Sequence, residues 1–457
     1  MSLDLTDIQG NILRAYAFPF ARYVFLNLTN QHLGELFLKA IIPHVTNSEI
    51  WLDSKPSSTL NIGLSRTALT TLNVPTASIN SFPVEFLQGM AGRAAALGDV
   101  ADSAPANWDT IWHNRVDLWV SINALTPEDR ETKFKLLKTL VEKTQGAEIL
   151  AIQNTQALTV NGALSNKEHF GYSDGYAQPS FKGSHTKDTP GDGKIASKGQ
   201  WEDLKNGEFL LGHPNEAEED GKLPIPMILA KNGCFMVYRK LEQNVKAFRD
   251  YVDEWGQRYP GGKEKLMAKF MGRWRDGTPL ALSPNEMNPD LVSDNDRVNN
   301  FVYNDDMQGS KCPLGAHIRR ANPRDSLLFN GKLPSRRRII RRGMPYGNYV
   351  PETEPVNTEE RGIIFMALNS SIARQFEFVQ QQWINYGNDF SLGEDSDPVL
   401  GNRPTPGRFV IPGTDETNPP FICSDMQTFI TLKGGDYFFL PSITALHQLS
   451  LGQIDPR

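Results

Sequence analysis

The chain of 457 residues predicts an α+β protein made of two tandem ferredoxin-like units with antiparallel sheets packed together, and three observations carry that prediction. Apolar strands and amphipathic helices follow one another as β-α-β-β-α-β in the first third of the chain. The same order returns, with longer interruptions, from Gly233 onward. The length exceeds what one ordinary core accommodates. The expected division is 1–181 for the first unit, 182–223 for a connecting loop region and 224–457 for the second.

In the first unit, Arg22 to Leu28 is rich in aromatic and branched residues and reads as a strand. From His32 to Val45, Leu33, Leu36, Phe37, Ala40 and Ile41 recur at helical spacing. Thr59 to Leu64 and Asn114 to Ala124 are the next strands, separated by a polar insertion with helical pieces. Thr126-Pro127-Glu128-Asp129 opens a helix with a hydroxyl cap, a proline at the first position and acids in the first turn. Glu148 to Gln153 closes the set. In the second unit, strands are expected at Gly233–Arg239, Arg336–Arg342, Gly362–Leu368 and Asp436–Pro441, with helices from about Glu242 to Trp255 and from Ser370 to Asn385. The polar stretch Lys182 to Leu223, with its acidic run Glu216 to Asp220, and the Asn- and Asp-rich stretch Gly277 to Met307 are expected to be long surface loops.

Composition narrows the function. With 39% hydrophobic and 22% charged residues and a net charge of −6, the chain is a globular protein with no global attraction for nucleic acid or an anionic membrane. Its three cysteines, Cys234, Cys312 and Cys423, are far apart and give neither a disulfide framework nor a paired metal site. The N-terminus carries acids where a signal peptide carries a basic segment, and no run approaches the length of a membrane span. A cytoplasmic protein is expected, or a processed secreted one.

Three separated segments hold the candidate chemistry. Asp174 lies in Gly171-Tyr172-Ser173-Asp174-Gly175, which alone reads as an Asp-Gly turn but beside an iron would place a carboxylate able to shuttle a proton between peroxide oxygens. His317 follows the small residues Gly315 and Ala316, which let a flat macrocycle approach, and Arg319, Arg320 and Arg324 suit pairing with carboxylates such as haem propionates. Arg341 ends the basic run Arg336–Arg342; by strand alternation Arg337, Ile339 and Arg341 share one face, and a fixed cation there would stabilise charge on a departing oxygen. The histidines at 32, 44, 113, 169, 185, 213 and 447 show no metal-ligand spacing, with His169 a candidate distal base.

Together these segments resemble the dye-decolorizing peroxidase family, specifically its larger class V type members. The GxxDG loop is matched by Gly171 to Gly175, the Gly-Ala-His-Ile-Arg setting by Gly315 to Arg319, and R-x-x-x-P-[FY]-G by Arg341 to Gly347. Asp7 to Leu13 and Gly207 to Gly212 also look like family segments. The resemblance implies haem b, held mainly by the C-terminal unit. His317 is the implied axial ligand, Asp174 and Arg341 stand on the opposite face, Asn322 lies near the haem, and Ile363 and Phe365 close the distal pocket. It further implies Asp397 as the acid behind His317, with Asp389 the alternative, and Tyr349 and Trp383 as candidate electron-transfer aromatics. Gly343 departs from members with Ser or Asn at that position, so one distal hydrogen bond is expected to be absent.

The implied activity is oxidation of dyes and phenolic compounds by hydrogen peroxide through an oxyferryl porphyrin radical. A non-catalytic haem-handling protein on the same fold would need His317 but not the distal pair. A nucleic-acid module using Arg336–Arg342 would need aromatic residues interleaved with the basic ones, and that strand has none.

Overall fold

The computed structural model describes residues 3–455 apart from 53, 185–188, 197–199, 220, 222, 328–330 and 414–417, so His185 and Asp220 lie outside the described residues. Four strands of the first unit, β1 Phe20–Leu28, β2 Ser58–Leu64, β3 Leu118–Ala124 and β4 Ala147–Gln156, pair antiparallel in the order β2-β3-β1-β4. The second unit supplies β5 Cys234–Gln243, β6 Ile340–Arg341, β7 Met344–Tyr346, β8 Gly362–Asn369 and β9 Ile430–Leu440, ordered β6-β8-β5-β9 with β7 also on β8. Both orders are those of the ferredoxin-like unit.

Strand alternation sorts each sheet into two faces. One face of each turns toward the other sheet: Tyr23, Phe25 and Trp119 meet Met236, Tyr238, Met366 and Phe438 in a shared aromatic core. The Tyr238 ring stands edge-on to Phe25 at 5.2 Å and to Tyr23 at 5.9 Å. The opposite faces carry the helices. Helix α1 (Gln31–Ile41) and helix α2 (Pro127–Thr144) cover the first sheet through Phe37, Leu38, Phe134 and Leu137, and α3 (Val245–Arg258) lies on the second through Phe248 and Val252. The cap expected at Thr126 is present, its hydroxyl accepting the Asp129 N–H at 3.1 Å.

Along one margin the two sheets join edge to edge through a single antiparallel pair, Leu64 with Phe439. The buried side chain of Gln9 secures this seam. Its amide donates to Ile62 O (2.8 Å) and Pro441 O (2.9 Å), while its oxygen accepts the Ile62 N–H (3.0 Å). Asp7 contributes by accepting from Asn232 Nδ2 and the Thr444 N–H. The segment Asp7 to Leu13 is thus a clasp between the units.

Two expected elements differ from what forms. The basic run is not a strand along its length: Lys332–Ser335 is a helical turn, Arg336 and Arg337 continue it as a turn, and only Ile340 and Arg341 pair with β8. Arg337 instead donates to Arg374 O (2.6 Å) and lies 3.8 Å over the Phe378 ring. The alternation assumed for Arg336–Ile340 therefore does not apply. The helix expected at 370–385 forms, but residues 373–384 wind as a π-helix, with Glu377 N bonded to Ile372 O (2.9 Å). Buried polar residues hold that wider turn. Gln375 donates to Glu208 O and Arg338 O, and Glu377 receives Arg93 and the Tyr437 hydroxyl.

Gly343 has a steric cause. Gly343 lies between β6 and β7, where a Cβ would collide with Ile364 O of β8, so the chain has no room there for the serine or asparagine named above. Gly343→Ser is expected to lower stability by about 1–3 kcal/mol, as overpacking does, without restoring a distal bond. Urea unfolding with an unchanged midpoint would contradict this.

Candidate active site

The first component is the loop after β4. Gly171 and Gly175 adopt φ of +96° and +98°, conformations that a side chain would strain, and nothing crowds the Gly175 α-carbon, so its requirement is conformational. The turn delivers Asp174, whose Oδ1 accepts the Gly175 N–H at 2.6 Å and Arg341 Nη1 at 2.9 Å. Burial alone would raise the Asp174 carboxyl, but the Arg341 guanidinium and the Gly175 N–H outweigh it and hold it below the usual range.

Arg341 is fixed from the same loop at three points. Besides Asp174, Tyr176 O accepts Nη2 at 2.5 Å and the Gln178 side-chain oxygen accepts its backbone N–H at 3.0 Å. Its strand register decides what accompanies it. Arg341 pairs with Ala367, and residues two apart on β8 share a side, so Phe365 and Ile363 stand on the same face. Both are half-buried there, while Ile364 and Met366 enter the inter-sheet core.

His317 begins the short helix α5 (His317–Ala321), packed between α4 (Gly262–Met271) and the π-helix. Its Nδ1 is 2.9 Å from Asp397 Oδ2, and Nε2 has no hydrogen-bond partner among the described residues. Asp397 is fully buried, and its other oxygen accepts the Val399 and Leu400 N–H groups at 2.9 and 2.8 Å. Burial disfavours both charges, yet each partner prevails: the His317 pKa is raised and that of Asp397 lowered. Asp389, the alternative acid, is engaged elsewhere, accepting Trp383 Nε1 at 3.0 Å.

The three groups share one cleft. Asp174 and His317 each shift the other's titration, and Arg341 opposes charging of the imidazole, so the distal pair and the histidine lie within electrostatic range. The Asp174 side chain is 53% open, that of Arg341 34% and that of His317 25%. Partly open and within electrostatic range of one another, the three side chains define one cleft.

Other expected residues fall differently. Arg319 is not available to a carboxylate ligand: it is fully buried and its terminal nitrogens are engaged by Asp306 Oδ2 (3.2 Å), Cys312 O (2.7 Å) and Asp306 O (2.8 Å). Arg320 and Arg324 are likewise spent on backbone carbonyls, those of Gly315, Trp383 and Asp395 and those of Asn299 and Phe301. Arg338 is the arginine that sequence reasoning set aside. It bonds Gly193 O and Ala177 O at 3.3 Å each and shares a small cavity with Asn322, Ser335 and Lys194. Its position three residues before Arg341 was the available signal. His169 is no distal base: it is buried, joined by Nε2 to Tyr346 O (2.8 Å), and burial pushes its pKa down to about 4. Trp383 is 1% exposed, in contact with Phe378 and Phe390, rather than at the surface, and Tyr349 is half-buried after β7.

This donor set fits haem. It offers an imidazole with one nitrogen open and the other on a carboxylate, a carboxylate–guanidinium pair near it, and apolar residues beside that pair. Asp397→Asn keeps an acceptor for Nδ1–H but removes the charge. It is expected to weaken retention of the cofactor by about 10–100-fold, measured as the rate of haem loss to a scavenging apoglobin.

Known proteins give the same picture. A family model described as DyP dimeric alpha+beta barrel domain matches residues 7–159, and one described as Dyp-type peroxidase, C-terminal, matches residues 226–399. Dye-decolorizing peroxidase msp1 of Mycetinis scorodonius is 30% identical over 476 residues, covering 97% of this chain and 87% of that protein. Multifunctional dye peroxidase DyP2 of an Amycolatopsis species is 29% identical, covering 97% and 96%. Among solved structures, a dye-decolorizing peroxidase in complex with 2,6-dimethoxyphenol superposes with a TM-score of 0.83 at 27% identity over 98% of this chain and 100% of that one.

Proposed function

The chain belongs to the dye-decolorizing peroxidase family, and we propose that it carries out that family's haem-dependent reaction, with His317 as the residue that would hold the haem iron and Asp174 and Arg341 as the distal pair. It is a peroxidase that oxidises dyes and phenolic compounds at the expense of hydrogen peroxide. Haem, when bound, supplies the redox chemistry, receiving the oxidising equivalents of peroxide and releasing them one electron at a time. We assign haem b, held without covalent attachment, because the chain has no Cys-x-x-Cys-His motif.

The chain's own residues do the following. Asp397 takes the Nδ1–H of His317, which leaves Nε2 as the coordinating atom and makes it a stronger donor. Asp174, kept ionised by Arg341, accepts the proton of the incoming peroxide and delivers it to the other oxygen, which leaves as water. Arg341, immobilised by Tyr176 O and Gln178, meets the negative charge developing on that oxygen. Ile363 and Phe365 keep water from the reacting atoms. Arg338 and Asn322, which line one small cavity, would be the groups to meet the carboxylates of the cofactor.

Reductants too large for the cleft pass electrons through Tyr349 or Trp383. Because Trp383 is buried, its part is that of a relay and not of a contact surface. The reading is supported by the His317–Asp397 and Asp174–Arg341 pairs, each 2.9 Å long, and by the electrostatic influence of the distal pair on the imidazole. Absorption spectra of the purified protein before and after one equivalent of peroxide test it, with a haem band that shifts on addition and returns when a phenol is supplied. A haem band indifferent to peroxide would leave a haem carrier instead.

A further inference from the structure

One buried carboxyl beside the distal loop has no task in the mechanism above. Glu168 is 7% exposed and forms no ion pair among the described residues. Its Oε1 accepts the Tyr172 N–H at 2.9 Å; its Oε2 accepts the Phe170 N–H at 2.9 Å and Gln243 Nε2 at 2.5 Å. Gln243 ends β5, so this carboxyl fastens the loop to the C-terminal sheet. The backbone closes around it: Glu168 N donates to Tyr172 O (3.0 Å), Gly171 N to Glu168 O (2.9 Å) and Asp174 N to Asn166 O (2.9 Å). The loop that presents Asp174 is folded about a single acidic side chain six residues upstream.

We propose that Glu168 is a positioning residue of the distal site, whose carboxyl shapes the loop carrying Asp174 and whose charge acts on that acid alongside the influence of Arg341 and the Gly175 N–H. This rests on the reading of Asp174 as the distal proton shuttle. Burial pushes the Glu168 carboxyl up to about 7; the N–H donors from Gln243, Phe170 and Tyr172 oppose the rise and the charge of Asp174 adds to it. Asp174 is held low by Arg341, so the two acids titrate in a fixed order. Falling pH neutralises Glu168 first. Removing that negative neighbour lets Asp174 stay ionised further into the acid range, where it still serves as a base.

The surroundings leave Glu168 as the group of this loop that titrates near neutrality. His169 stays neutral with a pKa of about 4, and Tyr172 is raised far out of range. Arg275 and Glu264 lie beyond Tyr172, and Arg249 and Arg361 beyond His169; none of the four bonds to Glu168. The uncharged Gln243 is what β5 presents.

The test measures fluoride affinity of the ferric holoprotein against pH, because a weak-acid ligand brings a proton that the distal base must hold. Wild type is expected to show an acid inflection from Asp174 and a second near pH 7; Glu168→Gln should lose the second and keep the first. Stability gives an independent readout. A carboxyl raised on folding contributes stability that is full below about pH 4.5 and is lost as pH rises through about 7. The melting temperature of wild type should therefore decline relative to Glu168→Gln across that window. A wild-type profile without the near-neutral inflection overturns the proposal even if the variant fails to fold, and so does a Glu168→Gln profile that matches wild type. Asp174→Asn separates the underlying reading: an acid inflection that survives in it means that Asp174 is not the distal base.

Discussion

Replacing His317 with alanine is expected to yield a folded protein that emerges from purification nearly free of haem and without peroxidase turnover. The expectation rests on how little else in the cleft is able to bind iron. Among the described residues no group of three or more His, Cys, Asp or Glu is placed to hold a metal on its own. His169, the other histidine near the site, is turned into the core and bonded to Tyr346 O. The substitution has a second cost, because Asp397 is fully buried and loses the partner that kept it ionised. Removing one member of a buried pair typically costs about 3–5 kcal/mol. The combination His317→Ala with Asp397→Asn should recover part of the stability but none of the haem, which separates ligation from folding. The ratio of haem to protein absorbance is the measurement; a single variant with the wild-type ratio and band position would remove His317 from its assigned role.

What the sequence revealed and what it concealed divide along physical lines. Strands and helices that bury one face announce themselves by period, which is why β1, β3 and α2 stand where the pattern put them, within a few residues. The cap at Thr126 was readable because its partner is three residues away. Partners remote in sequence were not. Arg319 looks free to meet a carboxylate because nothing in Gly315–Arg320 shows that Asp306, in a stretch read as loop, folds back to claim it. A basic run with Ile339 and Ile340 inside it has strand alternation, but the helical turn at Lys332–Ser335 shortens the strand to two residues. Trp383 resembles a surface aromatic until the π-helix turns it inward against Phe378 and Phe390. The seam at Leu64 and Phe439 depends on residues 375 positions apart, a separation no local pattern records.

The distal pair should fail differently from the proximal histidine: Asp174→Asn and Arg341→Leu are both expected to retain haem while reacting slowly with peroxide. Loss of a positioned proton-transfer group costs about 10²–10⁴-fold, and loss of one charge-stabilising donor about 10²–10³-fold. The losses will not multiply, since each residue also acts on the other through the 2.9 Å bond between them. Their pH dependences distinguish them further. In Arg341→Leu, Asp174 keeps the Gly175 N–H but loses the cation that held its carboxyl low, so burial now raises it. The base is then protonated at mildly acidic pH, and the residual rate should begin its acid-side decline at a higher pH than in wild type. In Asp174→Asn no carboxyl remains to titrate, and the slow residual rate should lose that decline. Arg341 keeps Tyr176 O and Gln178 in this variant, so its geometry survives the change. Stopped-flow absorbance after mixing with peroxide, recorded across pH, reads both effects. Wild-type rates in either variant would break the assignment of that residue, and an unshifted acid limb in Arg341→Leu would mean that the guanidinium does not govern the charge of Asp174.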